Sequence, residues 1–158
     1  MNDVNYIGVT SKNWNDASAN LNAGFTLFKT DESLTKLLVD VPPLKVPFGT
    51  WALAPGTETM LYQKIGQIAT NDPILVFGNK PEQKTAALLG EGIWRWRLYN
   101  YAKFENHEAF DAFAASIVQY LSLKEDKRLF RVFAPTEVME NERLIFNAEL
   151  YNTAFQPI

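Results

Sequence analysis

Pro73-Ile74-Leu75-Val76-Phe77, a polar turn over residues 78–83, and Lys84-Thr85-Ala86-Ala87-Leu88-Leu89 running into Gly90-Glu91-Gly92 form the stretch on which the fold reading turns. A strand with one wet face alternates apolar and polar residues, whereas an uninterrupted apolar run suits a strand covered on both faces. Both runs are therefore expected at the centre of a sheet. Directly after them comes Ile93-Trp94-Arg95-Trp96-Arg97-Leu98-Tyr99. Asn106 then stands where its side chain can cap a helix carrying Phe110, Phe113, Ala114, Ile117 and Leu121 on one stripe. Covered strands followed by an amphipathic helix put strand and helix in one layered unit.

Working outward, Asp31 or Ser33 can cap a helix through Leu34, Leu37 and Leu38, which Pro42-Pro43 would stop. Residues 13–22, NWNDASANLN, read as a polar, turn-rich loop between short strands at 6–9 and 25–28. Strands at 50–53 and 60–65, joined by Ala54-Pro55-Gly56-Thr57, read as a hairpin. Residues 122–127 are a charged connector, and two further strands are expected at 128–133 and 143–150, separated by 137–142. The change in style after Lys124 divides the chain into a body, 1–124, and a β-strand tail, 125–158.

Composition narrows the chemistry. A chain of 158 residues that is 47% hydrophobic and 13% aromatic can bury a core without disulfide or metal staples. Fifteen basic against eighteen acidic side chains give a net charge of −3, with no Lys/Arg block to follow a phosphate backbone, so nucleic acid is not an expected partner. Zero cysteines exclude thiol nucleophiles and thiolate metal sites, and a single histidine excludes a multi-His metal centre within one chain. No cofactor or metal is expected. No run approaches the roughly 18 to 20 apolar residues of a membrane span, and the start lacks a basic and then apolar leader. This stretch is expected not to insert in a membrane.

Glu91, Trp94, Arg95, Trp96 and Arg97 are the candidate ligand-binding residues: a glycine-bracketed acid at a strand end followed by two Trp and two Arg. Aromatic rings stack on sugars and guanidinium groups grip carboxylates, so this box could hold an anionic or carbohydrate ligand. The competing reading makes the tryptophans core plugs and the arginines ties between loops. His107, within Glu105-Asn106-His107-Glu108, could pair with Glu91 in a hydrolase only if folding brings the two within hydrogen-bond reach. No G-x-S-x-G elbow and no P-loop occur, and Gly90 and Gly92 make only a bare G-x-G. No catalytic residues are assigned.

The segment Asp72-Pro73-Ile74-Leu75-Val76-Phe77-Gly78, Lys84 through Leu98 with its Trp-Arg-Trp-Arg box, His107-Glu108-Ala109-Phe110 and Val118-Gln119-Tyr120-Leu121 resembles the C-terminal part of class I glutamine amidotransferase-like domains. These domains occur in bacterial membrane-anchored proteins with von Willebrand A-type or aerotolerance-regulator-like regions. The match covers about the middle third of the chain and is most specific in the box. It implies a mixed α/β class, a flavodoxin-like remnant with a partly parallel sheet and two or three helices followed by C-terminal β-strands, on the periplasmic side of a membrane-anchored envelope protein, without amidotransferase chemistry. The enzymes of that class use a Cys nucleophile, and this sequence has none. The tail, with Phe146-Asn147-Ala148-Glu149-Leu150-Tyr151-Asn152, looks like the first strands of a following β-sandwich. The function so implied is a non-catalytic scaffold or protein-interaction domain, its partners being another protein or other domains of the same parent chain. The alternatives are the ligand-binding box and, third, the Glu91/His107 hydrolase. The βα units that such a domain would need earlier in the chain do not appear, and the sheet edge this leaves open invites pairing with a second copy.

Overall fold

The structure is a computed structural model that describes residues 4–7, 14–80, 83–123, 129–133, 137, 139, 140, 143–152, 156 and 158. The chain divides into two compact units, Met1–Lys124 and Glu125–Ile158.

The first unit is built on an antiparallel sheet. Strand β1 (Val4–Ile7) pairs with β4 (Thr50–Leu53) as a separate ribbon, in the register Val4 to Leu53. The main sheet has the order β3-β2-β5-β6-β7, from β3 (Leu44–Pro47), β2 (Trp14–Leu21), β5 (Thr57–Ile65), β6 (Ile68–Lys80) and β7 (Gln83–Leu88). Every pairing among the described strands is antiparallel. Among the described residues three helices complete the unit: α1 (Glu32–Leu38), α2 (Trp94–Phe104) and α3 (Glu108–Ser122).

The partly parallel, flavodoxin-like α/β sheet expected from the sequence is therefore not the fold. The reason lies in the connections. Ile65 pairs with Ile68 and Lys80 with Gln83, so β5, β6 and β7 follow one another through two-residue links, which can join only antiparallel neighbours. The apolar run in β6 does mark a strand covered on both faces. Phe77 packs edge-on against Tyr120 of α3 at a centroid separation of 5.4 Å, while Ile74 and Val76, which alternation turns to the opposite face, are also buried. Double coverage is a property of any buried strand, and parallel sheets are its commonest setting without being its cause. Strand β7, expected at the centre, is an edge.

Other local expectations shift for equally simple reasons. The polar stretch expected to be a loop contains the eight-residue β2, whose inward positions are Ala17 and Ala19, too small to announce a buried face. Phe25 and Phe28, expected in a strand, lie in a loop and join Phe77 in an aromatic cluster, with centroid separations of 5.5 and 5.4 Å. Strand β4 pairs with β1 and not with β5, so residues 50–65 are not a hairpin. Residues 8 and 9 of the first expected strand and residue 128 of the penultimate one lie outside the described residues. Helix α1 forms as its sequence directs, the Asp31 side chain accepting a hydrogen bond from the Ser33 amide while Leu34, Leu37 and Leu38 face the core.

The sheet curls, and its ends are joined by one bridge. Lys45 N–H donates to the Glu91 carbonyl at 3.0 Å and Glu91 N–H returns a bond to the Lys45 carbonyl at 2.8 Å, so the chain leaving β7 covers the outer edge of β3. Gly90 permits this approach. A Cβ there would sit 3.1 Å from both the Lys45 carbonyl oxygen and Val46 Cγ1.

The second unit contains β8 (Phe130–Phe133) and β9 (Asn147–Leu150), paired antiparallel. Tyr151 N–H donates to the Leu129 carbonyl, and Ile158 N–H to the Leu150 carbonyl. Phe130, Val132, Phe133 and Leu150 are all exposed, and a lone two-stranded hairpin is at best marginal in water. Among the described residues no helix is long and apolar enough to cross a membrane.

Phe77→Ala should cost about 3 to 5 kcal/mol by emptying the aromatic cluster, whereas Ile65→Ala, at a partly exposed hairpin end, should cost well under half of that. Urea unfolding of both variants beside the parent checks the ranking.

Candidate functional site

The five candidate residues do not converge on one pocket. Glu91 is exposed, held by its backbone bridge to Lys45. The Trp-Arg-Trp-Arg box forms the first turn of α2, so its members point around a helix instead of alternating across a strand. Trp96 is fully buried, and its indole Nε1–H donates to the Pro42 carbonyl at 2.8 Å. Arg95 Nη2 donates to the neighbouring Pro43 carbonyl at 2.6 Å, and its Nε reaches the Gly92 carbonyl at 3.4 Å. Proline carbonyls partly buried beside a helix need donors, and the box supplies them. At the far end of α2, Lys103 Nζ bonds Asp40 at 2.6 Å. Helix α2 is thus tied along residues 40–43 at three points.

Gly92 makes the inner half of this clasp possible. Its φ of +97° is one that side-chain-bearing residues rarely adopt, and a Cβ there would lie 2.6 Å from Arg95 Nη2. The guanidinium occupies the space that glycine leaves.

Arg97 turns the other way. Its Nε and Nη2 donate to the two oxygens of Asp111, on α3, at 2.8 and 3.2 Å, a two-pronged pair on the surface. This hydrogen bonding holds the Asp111 carboxyl below the usual carboxylate range and raises the Arg97 guanidinium further, each effect partly opposed by desolvation. The hydrogen bonds that Lys103 donates to Asp40 and, next in weight, to Tyr99 likewise raise its pKa, partly opposed by desolvation.

His107 sits between α2 and α3. Its ring stacks on Tyr101 at 5.0 Å, and its Nδ1 lies 3.1 Å from the Arg97 carbonyl, which makes Nδ1–H the donor. Asn106 acts at the start of α3 as its sequence suggests, accepting the Glu108 amide at 3.0 Å. Among the described residues Glu91 and His107 share no hydrogen bond or ion pair, and no three His, Asp or Glu side chains gather where they could share a metal ion.

What the sequence reading missed is the outer face of α2. Trp94, Leu98, Tyr101 and Phe104, at spacings of four, three and three, are 64%, 58%, 56% and 40% exposed. Helical geometry sets these four within about a third of the circumference, on the side away from Trp96. Reading residues 93–99 as helical would have exposed the stripe, since buried and exposed apolar residues then separate into two faces. A small cleft of about 120 Å³ lies elsewhere, between α1 and α3, and none of the five box residues lines it.

Trp96→Phe keeps most of the ring but strands the Pro42 carbonyl, and should destabilise by about 1 to 3 kcal/mol. Arg95→Ala should act similarly through Pro43, as read by thermal unfolding. The Asp111 pair gives a pH signature of known sign. A carboxyl whose folded pKa is depressed adds stability above its unfolded pKa, and this is lost as pH falls through the folded value. The carbon-13 titration of the Asp111 carboxyl should therefore have its midpoint below that of an ordinary aspartate and return upward in Arg97→Gln, and Asp111→Asn should flatten the acid limb of the stability curve.

No family model, no curated protein and no solved structure matches this chain.

Proposed function

We propose that the first unit is a non-catalytic scaffold that presents the outer face of α2 to a protein partner. The observation that carries this reading is the Trp94-Leu98-Tyr101-Phe104 stripe, apolar and exposed on a helix whose inner face is clamped to residues 40–43. Trp and Tyr are over-represented among residues that dominate interface energies, and a rigidly held helix loses little conformational entropy on binding. Arg95 and Trp96, which would be needed for a ligand pocket at the box, are engaged inward.

The antiparallel sheet removes the fold from the amidotransferase-like resemblance and leaves that resemblance on the box alone. The box still supports a setting in a membrane-anchored envelope protein, with this unit on the periplasmic side and its partner another domain of the parent chain or a neighbouring protein.

A photocrosslinking amino acid at Leu98 should yield a discrete protein adduct in cells, and Trp94→Ala should abolish it while shifting stability by no more than about 0.5 kcal/mol. No adduct at Leu98, or hydrolase activity of the purified chain that Glu91→Gln or His107→Ala abolishes, would overturn the reading.

A further inference from the structure

The cleft between α1 and α3 lies away from both the clasp and the outer stripe, and its lining has two parts. The floor is apolar: Leu34, Met60 and Phe113 are all buried. Lys29, Asp31 and Ala112, all exposed, also line it. A volume of about 120 Å³ is below that of drug-sized sites and near that of a cavity that takes benzene, so the hole suits a single branched or aromatic side chain.

The exposed lining adds a charge condition. Lys29 has no ion-pair partner among the described residues, and the Asp31 carboxylate accepts the Ser33 amide through Oδ1, which leaves its second oxygen available. A cation and an anion that both line an apolar hole match a guest that carries both opposite charges beside an apolar group: an ammonium and a carboxylate on one carbon. A plain carboxylate would leave Asp31 unpaired and a plain amine would leave Lys29 unpaired.

We propose that this cleft binds a free α-amino acid with a branched aliphatic or aromatic side chain, its carboxylate on Lys29 and its ammonium on Asp31. Both α-groups must be free, which separates this guest from a residue inside a peptide.

The test is a titration of the nitrogen-15-labelled full chain with L-leucine and L-phenylalanine into the millimolar range, with isovalerate and isoamylamine as guests of one charge each. The expected result is saturable shifts in amides 28–34 and 109–116 with the amino acids, and binding of the single-charge guests weaker by about tenfold or more. Ala112→Phe, at an exposed position on the rim, should block entry. Lys29→Met and Asp31→Asn should each weaken leucine by about tenfold, the Asn retaining the helix cap, and Asp31→Asn should bring isovalerate level with leucine. Absence of saturable shifts with either amino acid, shifts that survive Ala112→Phe, or leucine binding unchanged in both charge variants would overturn the proposal.

Discussion

The carbonyl groups of Pro42 and Pro43 set the position of α2, and much of the first unit depends on how they are satisfied. Two consecutive prolines bring no amide hydrogens, so this stretch between α1 and β3 donates nothing to a ladder, yet its partly buried carbonyls still need partners. Trp96 and Arg95 supply those partners from the first turn of α2. The glycine before that turn admits the guanidinium by having no Cβ. One helix face is thereby committed to the link, and the opposite face, with Trp94, Leu98 and Tyr101, is left to solvent. The exposed stripe follows from the clasp: a helix pinned by polar bonds on one side cannot roll to bury the other.

Much of this was legible in the residues, and what was not has physical causes. The α1 cap, the helix after Asn106 and the doubly covered run of β6 follow from hydrogen-bonding chemistry and apolar spacing within a short window. Strand direction does not. Ile74 to Phe77 look the same in a parallel or an antiparallel sheet, and only the two-residue links at 66–67 and 81–82 decide between them. The polar composition of residues 78–83 made a longer turn look reasonable, while β6 in fact runs on to Lys80. Strand β2 was illegible because Ala17 and Ala19 bury themselves against larger neighbours without adding to any hydrophobic peak. Local pattern reports how a residue is covered, and the partner that covers it is a non-local fact.

The box illustrates the same limit at the candidate site. Its residue types signalled a constellation, and both readings given to it, ligand grip or loop tie, were chemically sound. The decision turned on period. In an extended segment Trp94 and Trp96 would share a face, as would Arg95 and Arg97; on a helix the four part company. Trp96 and Arg95 become internal anchors, Arg97 a surface pair with Asp111, and Trp94 an exposed ring.

The bridge between Lys45 and Glu91 also bears on how the chain is made. Strand β3 and its neighbour β2 are complete well before Glu91 has been synthesised, so the outer rim of β3 has no cover in the growing polypeptide. Unsatisfied strand rims are sites of mispairing in incomplete chains. Lys45 and Asp16, paired on exposed positions of β3 and β2, place charge beside that rim from the start. A lysine at such a place discourages wrong neighbours while the cover is still on its way, and its backbone then receives Glu91.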